Sequence, residues 1–309
     1  MRRSVLAAVA TAFAVSLSAQ PARAAQSPGD ALDAYTAVVP PEALGTLAEQ
    51  GLEPFGQRPV AGGLEVQLVA TTQQREKLQR QGVDTRLTLV DGGQTVQEFA
   101  SAQAQDGYQV WRSWDEPGGF RDQLYGVARE NPGLAKVVRL GRTIQGRELL
   151  AIKLTDGAGK LRDGRRPAVL YNGVQHAREW IAGEVTQRLM HWYVARWRAG
   201  DREIRRLLKD TELWFVPIAN PDGYEYTFDV ERLWRKNLRD NDGDGAIRVG
   251  DGVDLNRNYP SHFAYDEEGS ASLPSDETYR GASPASEPET RALTSLHDRV
   301  GFAFQLNSH

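Results

Sequence analysis

Hydrophobic and polar positions divide the chain into three stretches. The first is an apolar run from Val5 to Ala19, preceded by Arg2 and Arg3 and followed by Ala22-Arg23-Ala24. A basic start, a short apolar run and a small-x-small site together form a secretory signal peptide over residues 1–24. The run is too short for the roughly 20 residues of a spanning helix, so a membrane anchor is not expected. The second stretch, 25–106, mixes strand and helix patterns. Tyr35–Val39 reads as a strand and Pro40–Gln50 as a helix opened by prolines. Gly63–Ala70 alternates apolar and polar residues like a half-buried strand, Thr71–Gly82 reads as a second helix, and Val83–Val90 as another strand. This small α+β unit is either a free-standing binding module or a prosegment, and the polar residues Glu98–Asp106 form a linker.

From Tyr108 onward strands and helices alternate, as in an α/β domain. The pattern predicts a helix over Phe120–Glu130, strands over Ala135–Leu140 and Leu149–Leu154 around a turn at Gln145-Gly146, and a buried strand over Ala168–Asn172. Ile181, Val185, Leu189 and Trp192 recur at helical steps, so a helix follows His176. Leu213–Ile218 reads as a strand closed by a turn at Asn220–Gly223. Ser286 and Glu289 form a capping-box pattern before a helix whose apolar face is Leu293, Leu296 and Val300. A last strand, Phe302–Leu306, delivers Asn307-Ser308-His309 at its end.

Composition changes this picture little. The formal charge of −4 over 309 residues points to no nucleic-acid or polybasic membrane partner. The absence of cysteine excludes thiol catalysis, thiolate metal ligands and disulfides, so an exported chain of this kind rests on its core and on bound metal.

The chemistry begins at His176-Ala-Arg-Glu179 and returns at His309. Two histidines and a carboxylate form a three-ligand set that suits Zn²⁺ and leaves a coordination position open, as catalytic sites do. Alone, the His-x-x-Glu pair is better read as a helix cap, with Glu179 in the first turn. The surrounding residues change that. His176-Ala-Arg-Glu-Trp-Ile181, Asn220-Pro-Asp-Gly-Tyr224, Arg232-Leu-Trp-Arg-Lys236, Gly252-Val-Asp-Leu-Asn-Arg-Asn258, Glu277-Thr-Tyr-Arg-Gly281 and Asn307-Ser-His309 occur in this order. The series resembles the zinc carboxypeptidases of the pancreatic carboxypeptidase A/B type, and more closely their secreted bacterial relatives.

That resemblance covers residues 108–309 and implies an α/β fold with a mixed central sheet and flanking helices. It makes 107–309 a catalytic domain behind the α+β unit, and the whole a zymogen. It implies one zinc per chain, held by His176, Glu179 and His309. Asp254 would orient His176, and Arg235 would stabilise the oxyanion. Asn256 and Arg257 would hold the substrate's terminal carboxylate, and Arg178 would contact the substrate backbone. The expected substrates are peptide or protein C-termini, and the expected state is a secreted monomer. Relatives carry a glutamate general base and a substrate-closing tyrosine beyond the third ligand. The chain is therefore expected to be a fragment, with an incomplete sheet and poor solubility.

Two other functions stay open: a related zinc amidohydrolase, or a catalytically silent module that grips peptide C-termini. Asp240, Asp242 and Asp244 open like a calcium loop, with Asp251 at the twelfth position. A simple Asp/Gly turn is the alternative there. His191, His262 and His297 are expected to be structural.

Overall fold

The computed structural model describes residues 32–90, 92–99, 102 and 111–309. The expected leader, 1–24, lies outside the described residues, and so does most of the expected linker; Glu98 and Phe99, at its start, are helical.

The N-terminal unit is a four-stranded antiparallel sheet built from β1 (Leu32–Val39), β2 (Gly56–Val60), β3 (Gly63–Thr71) and β4 (Thr85–Leu87), in the order β2-β3-β1-β4. Alternate residues of β1 and β3 point to opposite faces. Tyr35, Ala37 and Val39 with Val66, Leu68 and Ala70 pack under α1 (Ala43–Glu49) and α2 (Thr72–Arg80). Leu32 and Val69 face the other way and meet Leu233 of the second unit. The predicted strand over Val83–Val90 is cut to three residues, and β2 was not foreseen, because its Gly-Gln-Arg-Pro-Val carries no apolar alternation.

The second unit is a five-stranded mixed sheet ordered β5-β6-β8-β7-β9. Its strands are β5 (Ala135–Arg142), β6 (Glu148–Leu154), β7 (Ala168–Gly173), β8 (Glu212–Val216) and β9 (Phe304–Ser308). Pairing is antiparallel from β5 through β6 to β8, and parallel from β8 to β7 and from β7 to β9. Leu150, Ile152 and Leu154 with Leu213 and Phe215 pack under α3 (Phe120–Glu130), α4 (Trp180–Arg198) and α5 (Arg202–Asp210). Trp214 and Val216 turn to the opposite face, where α7 (Pro288–Val300) covers them with Leu293, Leu296 and Val300. The expected α/β fold with a mixed sheet and flanking helices is therefore present.

Three local expectations are corrected. The helix after His176 forms, but Ile181, Val185 and Trp192 are exposed; Ala182, Gly183, Thr186, Met190 and Val194 are buried instead. Close approach is the reason. A Cβ on Gly183 would lie 2.8 Å from Ile218 Cδ1, and one on Gly173 of β7 would lie 2.8 Å from the Ala182 carbonyl oxygen. Only small residues fit that seam, so the large apolar ones fall on the far side. Asn220–Gly223 does not close a turn. Asn220 caps α6 (Pro221–Asp229), accepting a hydrogen bond from the Gly223 amide at 3.0 Å.

Finally, the capping box at Ser286 and Glu289 is absent, because α7 starts one residue later with Glu287 as its cap. Glu289 turns inward instead. One of its oxygens meets Asn237 Nδ2 at 3.4 Å, and the other has no hydrogen-bond partner among the described residues. Burial, with Asp222 and Glu287 nearby, raises its carboxyl to about 8 from the usual 4.5. The folded chain thus keeps a proton there that the unfolded chain loses. The stabilisation is full below pH 4.5 and is lost as the pH rises to about 8. Urea unfolding across that window is expected to show stability falling with pH, and Glu289→Gln is expected to flatten the slope. A glutamine that leaves the slope unchanged would mean that this carboxyl is ionised in the fold.

Candidate metal centre

The parallel pairing of β7 with β9 sets the site. In that register Asn172 lies beside Asn307 and Gly173 beside Ser308, so both strands end at the same edge and release His176 and His309 toward each other. Ligands of open α/β sheets bind at such strand ends. Glu179 stands at the N-cap of α4, three residues after His176.

Three donor atoms converge. His176 Nδ1 is 2.8 Å from Glu179 Oε1, and His309 Nδ1 is 3.3 Å from both His176 Nδ1 and Glu179 Oε2. His176 is buried, whereas the side chain of His309 is 37% exposed. The opposite nitrogen of His176, Nε2, lies 3.1 Å from Asp254 Oδ1. A proton on Nε2 donated to that carboxylate leaves the Nδ1 lone pair facing a carboxylate oxygen and a second imidazole. Such a cluster of acceptors needs a proton or a cation at its centre. The shifts agree. Burial alone would lower His176 and raise Glu179, but Asp254 and Glu179 hold the imidazole above its usual value. Hydrogen bonds from His176 and His309 bring the Glu179 carboxyl down to about 2. A divalent ion would replace the shared proton. Donors at zinc–ligand distances in a tetrahedron are about 3.3 Å apart, so this His-Glu-His set fits zinc.

Asp254 is fully buried at the head of a short 3₁₀ turn, Leu255–Arg257. It accepts hydrogen bonds from the Asn256 amide at 2.8 Å and from Arg235, whose Nε and Nη2 reach its Oδ2 at 3.1 and 2.8 Å. Burial opposes its charge, but Arg235 and His176 hold the carboxyl well below the usual range. Gly252 lets the chain enter this turn with φ +80, where a Cβ would strike the Asn237 carbonyl oxygen at 2.5 Å.

Arg235 also reaches Glu53 of the N-terminal unit through Nη2, and Arg257 Nη2 meets the other oxygen of Glu53 at 3.0 Å. Burial would raise the Glu53 carboxyl; the two guanidinium groups bring it below its ordinary value. Asn256 lines the same cavity of about 690 Å³, together with the three donors, Arg178 and Glu53. Arg178 is held by Glu277 Oε2 at 2.6 Å and by the Leu233 carbonyl at 3.2 Å. The acids lining this cavity among the described residues are Glu179 and Glu53.

All eight residues predicted for the zinc and substrate sites therefore gather in one place. Two residues at the site had no role assigned from the sequence. Glu277 stood inside a quoted motif and could have been paired with Arg178 on charge. Glu53 carried no local signal. The three expected calcium ligands also cluster, with one oxygen each within 4.8 Å of the others. Their oxygens already accept amides of their own loop: Asp240 from Gly243 and Gly245, Asp242 from Asp244, and Asp244 from Ala246. Asp251 is turned inward onto the amides of Asn241 and Arg248, away from that cluster. His191 and His297 are half-buried and His262 is exposed; none of them joins the centre.

The zinc carboxypeptidase family model matches residues 121–309. The chain belongs to this family, which implies zinc as its cofactor. It is 33% identical over 190 residues to a metallocarboxypeptidase A-like protein of Trichophyton verrucosum, covering 61% of this chain and 41% of that one. It is 31% identical over 231 residues to carboxypeptidase A4 of Mus musculus, covering 72% of this chain and 52% of that protein. The chain thus spans about half the length of the curated relatives it matches. Among solved structures, carboxypeptidase A of Helicoverpa armigera shares the fold with a TM-score of 0.66 at 24% identity, covering 90% of this chain and 69% of that one.

Arg235 and Asp254 are buried as a pair. Arg235→Met is expected to lower the unfolding free energy of the metal-free chain by about 3–5 kcal/mol, because it leaves a buried carboxylate uncompensated. Urea unfolding at neutral pH measures this, and a loss below about 1 kcal/mol would mean that the pair is solvated.

Proposed function

We propose that the protein is a secreted precursor whose catalytic domain, 107–309, is a zinc-dependent carboxypeptidase that removes C-terminal amino acids from peptides and proteins. The observation that carries this reading is the Glu53 carboxylate gripped by Arg235 and Arg257 beside the donor cluster. A carboxylate in that position is what the end of a peptide would bring. In this reading Arg257 and Asn256 hold the terminal carboxylate, with a planar fork that lysine cannot copy. Arg235 faces the carbonyl oxygen of the last peptide bond and stabilises the negative charge that develops there, a contribution of about 3–4 kcal/mol for such a donor. Arg178, steadied by Glu277, contacts the backbone further from the cut. Asp254 keeps the His176 imidazole oriented. When bound, zinc polarises the scissile carbonyl and lowers the pKa of its water. A bond inside a longer chain presents no carboxylate to Arg257, so the site selects terminal bonds.

Residues 25–106 are then a prosegment, and Glu53 supports an inhibitory role for it, since it takes up the cations that substrate needs. The signal pattern in 1–24 supports export. No described helix is long and apolar enough to cross a membrane. A monomer is the working state. The paired arginines favour this reading over a zinc amidohydrolase that acts on small acylated amino acids.

The test uses the zinc-loaded protein, with and without its first 106 residues, and an N-acetylated peptide supplied as free acid and as C-terminal amide. Whatever cleavage mass spectrometry detects is expected to be single-residue loss from the free acid only. Equal cleavage of both forms would sink the carboxypeptidase reading, and binding of the free acid without cleavage would favour the silent module.

Glu53→Gln in the full chain is expected to raise affinity for a free-acid peptide about tenfold, as loss of a competing ion pair should. Unchanged affinity, measured by fluorescence anisotropy, would remove the inhibitory role.

A further inference from the structure

The two histidines of the donor cluster are held very differently. His176 is buried and braced by the charged carboxylate of Asp254. His309 is partly exposed and follows an edge strand, yet its ring is also braced. Its Nε2 lies 3.0 Å from Asn307 Nδ2. Asn307 Oδ1 in turn lies 2.7 Å from Nδ2 of Asn172, a wholly buried side chain near the C-terminal end of β7. Asn172 Oδ1 accepts from Gln305 Nε2 at 2.8 Å. Three carboxamides thus run in one hydrogen-bonded row across the β7–β9 pair and end on the ring. The proposed reaction assigns no part to Asn172 or Asn307.

The direction of the row matters. With Asn307 Nδ2 donating to Nε2, a neutral His309 carries its proton on Nδ1, the atom that faces His176 and Glu179. In that arrangement Nδ1–H points to Glu179 Oε2, and Nδ1 has no lone pair to offer an ion. To offer the Nδ1 lone pair to an ion, a neutral ring must carry its proton on Nε2, which then donates. A half-turn of each carboxamide exchanges its oxygen and nitrogen ends with little movement of other atoms. After it, His309 Nε2–H donates to Asn307 Oδ1, Asn307 Nδ2 donates to Asn172 Oδ1, and Asn172 Nδ2 donates to Gln305 Oε1. Each hydrogen bond within the row is kept in either direction.

We propose that Asn307 and Asn172 are positioning residues of the third zinc ligand: a reversible amide row that fixes the His309 ring and its tautomer so that Nδ1 faces the ion. This inference rests on the zinc reading of His176, Glu179 and His309. The neutral row does for the exposed histidine what Asp254 does for the buried one, and loss of such a partner typically weakens metal binding 10- to 100-fold.

The test measures Zn²⁺ affinity of the full chain by chelator competition, together with the absorption spectrum of the Co²⁺ form. Asn307→Leu, which removes both ends of the amide, is expected to weaken zinc binding about 10- to 100-fold and to alter the cobalt spectrum. Asn307→Asp keeps an acceptor for His309 Nε2–H and is expected to restore affinity to within about threefold of the parent, a rescue that a purely structural role would not give. Asn172→Leu is expected to weaken binding in the same sense but by less. Parent-like zinc affinity in Asn307→Leu, or an Asn307→Asp variant as weak as Asn307→Leu, overturns the row alone. A parent chain that binds no zinc overturns the zinc reading and the row with it.

Discussion

A single buried charge, the carboxylate of Asp254, organises the rest of this site. It has no access to solvent and draws its compensation from three separate parts of the chain: His176 after β7, the Arg235 guanidinium, and the amide of Asn256 in its own turn. Removing any one partner would leave a charge that burial penalises heavily. The three segments are therefore held as a set, and the Nδ1 nitrogen of His176 points where that set directs it. The same electrostatics pass outward through Arg235, which is shared between Asp254 inside and Glu53 at the mouth of the cavity.

The sheet supplies the second constraint. Two parallel strands that end side by side bring together residues far apart in the chain, and the residue pairs along that ladder decide which side chains touch. Asn172 opposite Asn307 follows from the register, as does the meeting of the two histidines beyond the strand ends. Gly173 and Gly183 allow α4 to lie close against β7, and so bring Glu179 within reach of both rings. Small residues at this seam expose Ile181, Val185 and Trp192 along α4, on a face as apolar as the outer side chains Phe304 and Leu306 of the edge strand β9.

Most elements were legible from periodicity. Phe120–Glu130 was bounded as it is found, and β3, β5, β6 and β8 were located within a few residues, because each alternates or repeats in the way its burial demands. The failures share a cause. The stripe on α4, the capping box at Glu289 and the turn at Asn220 were judged from local pattern alone, and each was overruled by what packs against it. The short helix α5 has a legible start, Gly200 followed by the capping Asp201, but was not among the expected elements.

From the sequence alone came the family, the donor residues and the arginines, since these depend on residue type at short spacings, and chemistry restricts the types severely. The tertiary structure alone decided that Glu53 lies between Arg235 and Arg257, that Arg178 is tied to Glu277, and that a row of neutral amides backs His309. Except for Asn307 with His309, those pairings join residues separated by about 100 to 200 positions. No local signal encodes them, because they arise only when burial brings charges and amides together and leaves them no water to satisfy them.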